Sequence, residues 1–302
     1  MTVQTEAPDR IAGPRPVPGT RATGQPGPGR VPERPSGPGL FRFLAWTNVL
    51  IGASAAAFTW VTALAVDLPG DPLVAAFVFL FVVATHTRDR LQPTHDGSRR
   101  AAWMARRRRP LIWWTAGCTA ALLPLAVLRP WCAAALATVG VMGWFYAVPL
   151  VRWRGLRRAP RQLPCVKLPY TMIGWALIAV VLPAAQLGAL DDPRVWWLAL
   201  AGVLIGGVTT LVNDLRDVAA DRRDGSLTLP VVIGEGRTRA LAHTMALCGA
   251  LVGQLVFPGP VLLWALFNST ILSRYRPRPG EHPAPWGDAQ GLVLLGAVLL
   301  TR

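Results

Sequence analysis

From Phe43 onward the chain runs apolar in stretches of up to about twenty residues, broken by short polar and arginine-rich segments. Roughly twenty apolar residues in a helix cross a bilayer core, and the stretches predict helices over Phe43–Val66, Pro72–His86, Pro110–Leu128, Trp131–Leu150, Lys167–Leu187, Val195–Asn213, Arg237–Phe257, Val261–Ser273 and Ala289–Thr301. The second and sixth run into polar segments that can continue the same helix. The pattern therefore predicts an all-α integral membrane protein, a bundle of nine transmembrane helices. Residues 1–40 are crowded with Pro, Gly and Arg and lack an apolar run, so they read as a disordered cytoplasmic tail and not a signal peptide. The domain division is thus a tail over 1–40 and a transmembrane domain over 41–302.

Composition sharpens this picture. With 52% hydrophobic and 16% charged residues, a soluble globular chain is excluded. The 31 basic and 16 acidic residues give a net charge of +15. Nucleic acid is one reading of such a charge, but the basic residues fall in blocks between apolar runs, which suits a lipid bilayer surface and no nucleic acid. With the tail placed in the cytoplasm and the spans alternating, the tail to Arg42, Arg88–Arg109, Arg152–Lys167, Arg216–Arg239 and Arg274–Arg278 all fall on the cytoplasmic side. Only Arg129, Arg194 and Arg302 fall on the other. That bias follows the positive-inside rule and predicts a cytoplasmic N-terminus, in the cytoplasmic membrane, with the active site toward the cytoplasm. Cys118, Cys132, Cys165 and Cys248 lack metal-type spacing and read as small apolar residues.

The chemistry-bearing segment is Asn213-Asp214-Leu-Arg216-Asp217-Val-Ala-Ala-Asp221-Arg-Arg-Asp224-Gly225, at the end of the sixth run. At 100° per residue Asn213, Asp217, Asp221 and Asp224 share a sector of roughly 80°, with Asp214 just beside it. A solvated acidic helix end is the plain alternative. Carboxylates gathered on one face repel one another unless cations neutralise them, and hard oxygen ligands suit Mg²⁺ that also binds phosphate. Arg216, Arg222 and Arg223 lie where they can hold a diphosphate.

These residues, with Thr228-Leu-Pro-Val-Val-Ile-Gly234, resemble the second Asp-rich motif of the UbiA superfamily of intramembrane prenyltransferases. Tyr146-Ala-Val-Pro-Leu150, the basic stretch Arg152–Arg161 and Lys167 are similar to that family's segment between its fourth and fifth helices. The resemblance runs from about Phe43 to the C-terminus. It implies Mg²⁺ as cofactor and Asp214, Asp217 and Asp221 as metal ligands, with Asp217 and Asp221 catalytic through the metal. It also implies Asn213 and Arg216 as substrate-binding groups. The family's first Asp-rich motif is altered: Thr85-His86-Thr87-Arg88-Asp89-Arg90-Leu91-Gln92-Pro93-Thr94-His95-Asp96 keeps Asp89 as catalytic metal ligand, with Arg88 beside it to bind substrate. Thr85 and Pro93 stand where an amide and a carboxylate are expected. Asp96 is a further candidate ligand, and His86 and His95 are weaker substitutes.

Lys167 is the only lysine. It is either a residue snorkelling at a helix mouth or, as the resemblance implies, a point charge on the diphosphate. Arg158 and Arg161 are equally available for that anion. The partners implied are a prenyl diphosphate donor and a lipophilic acceptor, aromatic or quinone-like. Tyr146, Tyr170, Trp175, Trp144 and Phe81 are candidates to face an allylic cation, each with ordinary packing as its alternative. Asn48 and Asn268 can orient an acceptor or bond a neighbouring helix. Two other readings remain open: a membrane terpene cyclase on the same scaffold, and a non-enzymatic transporter or assembly subunit.

Overall fold

The computed structural model describes residues 39–91, 99–148, 151–153, 156–160, 163–223, 226–276 and 285–302. Almost all of the 1–40 tail lies outside them, as do Asp96, His95, Pro93 and Arg161. Each predicted apolar stretch coincides with a helix, but the chain divides these helices differently from the sequence pattern. Helix α1 (Leu40–Trp46) and α2 (Val49–Ala65) replace the single run Phe43–Val66 and meet at a bend of 76°. The break is at Asn48, which is left-handed at φ 62°, so the helical ladder cannot pass through it. Two side chains, Thr87 and Arg100, fix the break from outside. The Asn48 amide donates to Thr87 Oγ1 at 3.0 Å, and its oxygen accepts from Arg100 at 2.7 Å. Arg100 also reaches the carbonyls of Ala45 and Trp46.

Helix α3 (Pro72–Arg90) starts at Asp71, whose carboxylate accepts from the amides of Leu73 and Val74, with Pro72 in the first turn. That is a capped start with preset φ. It is followed by α4 (Arg99–Arg106), α5 (Arg108–Leu128) and α6 (Pro130–Ala147), then a short antiparallel hairpin, β1 (Val151–Trp153) with β2 (Leu156–Arg158). The hairpin lies in the basic stretch, where apolar periodicity carries no signal. Helix α7 (Lys167–Ala176) passes through a π turn, Leu177–Val181, into α8 (Leu182–Gln186). The π turn ends just before Pro183, whose missing N–H the wider turn accommodates.

Helix α9 (Pro193–Arg223) has 31 residues. At 1.5 Å per residue it is about 46 Å long, against a hydrocarbon core of about 30 Å, so its polar turns stand beyond the apolar section. Then come α10 (Leu229–Ile233), α11 (Glu235–Gly253), α12 (Pro260–Arg274), a 3₁₀ turn at Pro285–Ala289 and α13 (Gln290–Thr301).

Pro72–Arg90, Arg108–Leu128, Lys167–Gln186 and Pro193–Ala219 are long and apolar enough to cross a membrane, and the bent α1–α2 pair makes a fifth such element. Pro130–Gly143 and Gly287–Thr301 are shorter apolar helices. The architecture fits a multi-pass integral membrane protein. Large apolar side chains turned outward agree with that setting, such as Trp113 at 77% and Val127 at 85% exposure on α5. The largest core gathers α2, α8, α9, α12 and α13 around Trp264, Leu198, Ile205 and Leu294. A second joins α2, α3, α5 and the π turn around Phe77 and Val78. Between them the helices leave a chamber.

Candidate active site

The chamber has a volume of about 770 Å³ and is lined by residues from α2, α3, α6, α7, α9, α12 and the turn before α13. Asn213, Asp214, Arg216, Asp217 and Asp221 border it from α9, and Asp89, His86 and Arg90 from α3. Lys167 and Trp175 enter from the α7 side and Tyr146 from α6. Residues as far apart in sequence as Ile51 and Gln290 are thus brought to one space. Others are not. Arg88 is exposed on α3 and does not line the chamber, and Tyr170 stands behind Tyr146, the rings stacked at 4.3 Å. Phe81 packs in the second core. The side chains of Arg158 and Trp144 are outside the described residues. Asn48 bonds Thr87 and Arg100, while Asn268 accepts from Thr209 and donates to the Trp264 carbonyl, so both asparagines tie helices together.

Lys167 opens α7, and its ammonium donates to Asp214 Oδ1 at 2.6 Å. The first turn of a helix favours anions, because its free N–H groups carry partial positive charge. A lysine there adds positive charge to positive potential, which Asp214, only 1% exposed, offsets. The chain bends to make the pair: Cys165 is left-handed at φ 62°, and its amide donates to the Leu227 carbonyl, tying the start of α7 to the loop after α9. In that loop Thr228 caps α10 and its hydroxyl donates to Asp221 Oδ2 at 2.8 Å. Burial raises the Asp221 carboxyl above its usual range, against the lowering effect of the Thr228 bond and Lys167. Arg216 holds both oxygens of Asp217, each at 2.5 Å. These are charge-assisted bonds in a fork geometry.

The sequence pattern missed Asp288, in the turn before α13, which borders the chamber. Burial pushes its carboxyl up to about 6, although Arg100, Arg90 and Arg216 pull the other way. A lone acid in a loop has no periodic partner to reveal it. Gly202, Gly206, Thr209 and Thr210 on α9 were missed too. Their signal was the four-residue repeat of small residues at 202, 206 and 210 leading to Asn213.

The donor set suits a hard cation on chemical grounds. Asp89 has no bonded partner among the described residues, and Asp221 commits one oxygen to Thr228. Among the described residues no three His, Cys, Asp or Glu side chains gather closely enough to form a metal cage. The arrangement fits the Mg²⁺ manner of binding, one or two carboxylates with substrate phosphate completing the shell.

Residues 165–285 match the model of the UbiA prenyltransferase family. The matched region contains Lys167, Asp214, Asp217, Asp221 and the Thr228 loop, and leaves Asp89 and Asp288 outside. Over 102 residues the chain is 33% identical to a 1,4-dihydroxy-2-naphthoate octaprenyltransferase of Mycobacterium tuberculosis (strain ATCC 25618 / H37Rv). The match covers 30% of this chain and 35% of that relative, so the chain spans about a third of its length. No solved structure matches the chain. The UbiA match and the transferase relative favour neither the cyclase nor the non-enzymatic reading.

Proposed function

We propose that the chain is a Mg²⁺-dependent intramembrane prenyltransferase that moves an isoprenoid from a prenyl diphosphate to a lipophilic acceptor, aromatic or quinone-like. The observation that carries the reading is one chamber with Lys167 and the α9 carboxylates at its polar end and apolar walls beyond them. Asp89 and Asp221 would hold the metal, joined by the second oxygen of Asp214 and by Asp217 once Arg216 turns from it to the diphosphate, with Asp96 a further ligand from outside the described residues. Mg²⁺ bound there supplies positive charge to the leaving diphosphate.

The chain's own groups do the rest. Lys167 and Arg216 offset the diphosphate charge, and Asp214 keeps the Lys167 ammonium turned toward the chamber. The carbon–oxygen bond of the donor breaks, its electron pair leaves with the diphosphate, and the acceptor's electron pair forms the new bond as the acceptor loses a proton. Tyr146 and Trp175 present ring faces to the allylic cation. We assign nine spans, with the N-terminus and the polar end of the chamber facing the cytoplasm.

The test is turnover by purified protein in detergent with Mg²⁺, prenyl diphosphates and a panel of aromatic and quinone-like acceptors. Asp217→Ala and Asp221→Ala should reduce turnover by a factor of about 100 or more, and EDTA should abolish it, since a lost ligand removes stabilisation that water does not replace. Wild-type rates in both variants at equal expression would overturn the assignment. Diphosphate release with cyclic hydrocarbon and no acceptor would instead indicate the cyclase.

A further inference from the structure

The region around α5 and α6 stands apart in its charge. No Asp or Glu occurs from Gly97 to Leu190, a stretch that holds twelve arginines and Lys167. At the turn between the two helices Arg129 is bonded to Asp71. At the other end of the pair Arg106, Arg107, Arg108 and Arg109 are exposed, and their guanidinium groups make no hydrogen bond or ion pair among the described residues. The first turn of α5 carries neither an acid nor a side-chain cap, so the positive end of the helix dipole adds to the same charge.

These arginines stand on a fixed corner. Trp103 and Met104 of α4 are buried with Leu111 against Trp46 and Leu91, and the Trp103 ring meets those of Phe43 and Trp46 at 6.1 and 5.6 Å. The Arg107 guanidinium lies 5.0 Å from the centre of the Trp103 ring. Helices α5 and α6 are joined by Arg129 alone and packed together, so they run in opposite senses. With 21 and 18 residues they are about 31 and 27 Å long, which brings the hairpin after α6 to the level of the arginine corner. In that hairpin Arg152 stands directly opposite Arg157, and both are exposed. Like charges at opposed positions of a ladder repel. Beyond the arginines both helices turn apolar side chains outward. Arg109 and Trp113 lie four residues apart, one above the other on α5, and Ile112, Trp113 and Trp114 are exposed, as are Val141 and Phe145 on α6.

We propose that this end of the α5–α6 pair is a binding site for an anionic phospholipid, with its phosphate among Arg106, Arg108, Arg109 and the Arg152–Arg157 pair and its acyl chains along the outward apolar face of the two helices. Guanidinium groups bond phosphate oxygens two at a time, and Trp favours the depth of the headgroups. Basic clusters at the cytoplasmic end of a span attract anionic lipid, and on our assignment this end faces the cytoplasm. A free phosphate would use the arginines and leave the tryptophans uncovered, whereas a phospholipid covers both. Because the corner is preformed, little ordering opposes binding. The site is separate from the chamber, which none of these five arginines lines, and it does not depend on the reaction carried out there.

The experiment uses the full chain purified in detergent and a phosphatidylglycerol labelled on one acyl chain. Unlabelled phosphatidylglycerol should displace the label about tenfold better or more than phosphatidylcholine with the same acyl chains. High salt should shrink that advantage, since the arginines are exposed to screening. Inorganic phosphate and geranyl diphosphate at the same concentrations should displace little. Arg106→Gln, Arg108→Gln and Arg109→Gln combined should reduce the advantage to about twofold or less, and the three corresponding Lys exchanges should keep part of it. These side chains bond nothing within the described protein, so the variants should fold, as monodisperse elution checks. Arg237→Gln with Arg274→Gln removes exposed charge elsewhere and should leave the advantage unchanged. Equal displacement by the two phospholipids, an advantage that survives the triple Gln exchange, or one lost equally in the Arg237 and Arg274 variant overturns the site. Displacement by phosphate or geranyl diphosphate as effective as by phosphatidylglycerol overturns the lipid assignment in favour of a free anion. Arginine-dependent dimers without lipid preference overturn it in favour of a second copy of the chain.

Discussion

Lys167 and Asp214 show how one buried ion pair ties stability to function. With its carboxylate 1% exposed, Asp214 cannot turn to water if Lys167 is removed. Lys167→Ala should therefore destabilise the protein by about 2 kcal/mol, a buried-pair loss discounted because a third of the lysine side chain is exposed. It should also weaken donor binding. Lys167→Ala with Asp214→Asn should recover most of the thermal stability and none of the donor affinity, while Lys167→Arg should keep part of both. Unfolding midpoints and donor Kd on the three variants check this. Full affinity in Lys167→Ala would return Lys167 to a snorkelling role. The helix-face acids and the singular lysine were legible in the sequence because one obeys a period and the other breaks a composition. Their pairing was not legible, since it spans 47 positions and depends on how α7 meets α9. Asp288 escaped for the opposite reason: nothing in its neighbourhood repeats.

At the scale of elements, the apolar runs disclosed where helices lie and not where they break. Hydrophobicity stays high through Thr47 and Asn48, yet the chain turns there because Arg100, from a helix more than fifty positions away, bonds the asparagine. Arg100→Ala should cost about 2–3 kcal/mol, the worth of a charge-assisted bond to buried groups. Asn48→Gly separates backbone from side chain. It keeps the left-handed conformation but removes both side-chain bonds, so it should lose less stability than Asn48→Val, which loses the bonds and also strains the backbone. Thermal unfolding in detergent ranks the three. Equal midpoints for Asn48→Gly and Asn48→Val would show that backbone strain contributes nothing. The π turn at Leu177–Val181 and the hairpin at Val151–Arg158 were equally silent, as hydropathy does not distinguish one helical ladder from another and a basic stretch carries no apolar period.

Across the whole molecule, the three arginines that the charge bias sets apart all find aspartates. Arg129 binds Asp71 at 2.6 Å, Arg194 binds Asp67 and Asp192 at 2.8 Å, and Arg302 binds Asp67 at 3.1 Å. These pairs gather the loops after α2, α5 and α8 and the end of α13 on one face, opposite Lys167 and the α9 carboxylates. On our assignment that face lies outside the cytoplasm. Single cysteines at Leu156 and Arg237 in a Cys-free background should react with impermeant reagent only from the cytoplasm, and at Gly188 and Gly259 only from outside. Labelling of Leu156 and Gly188 from one side would refute it. The Gly291 amide on α13 donates to Ser54 Oγ on α2 at 2.6 Å, and this contact has a consequence in time. The two residues are 237 positions apart, and at about 5–20 residues per second a ribosome needs roughly 12–50 s to make the second after the first. For that interval the nascent α2 holds the Ser54 hydroxyl and the Phe58 ring without that neighbour, so this side of the chamber wall is completed only when α13 has been made.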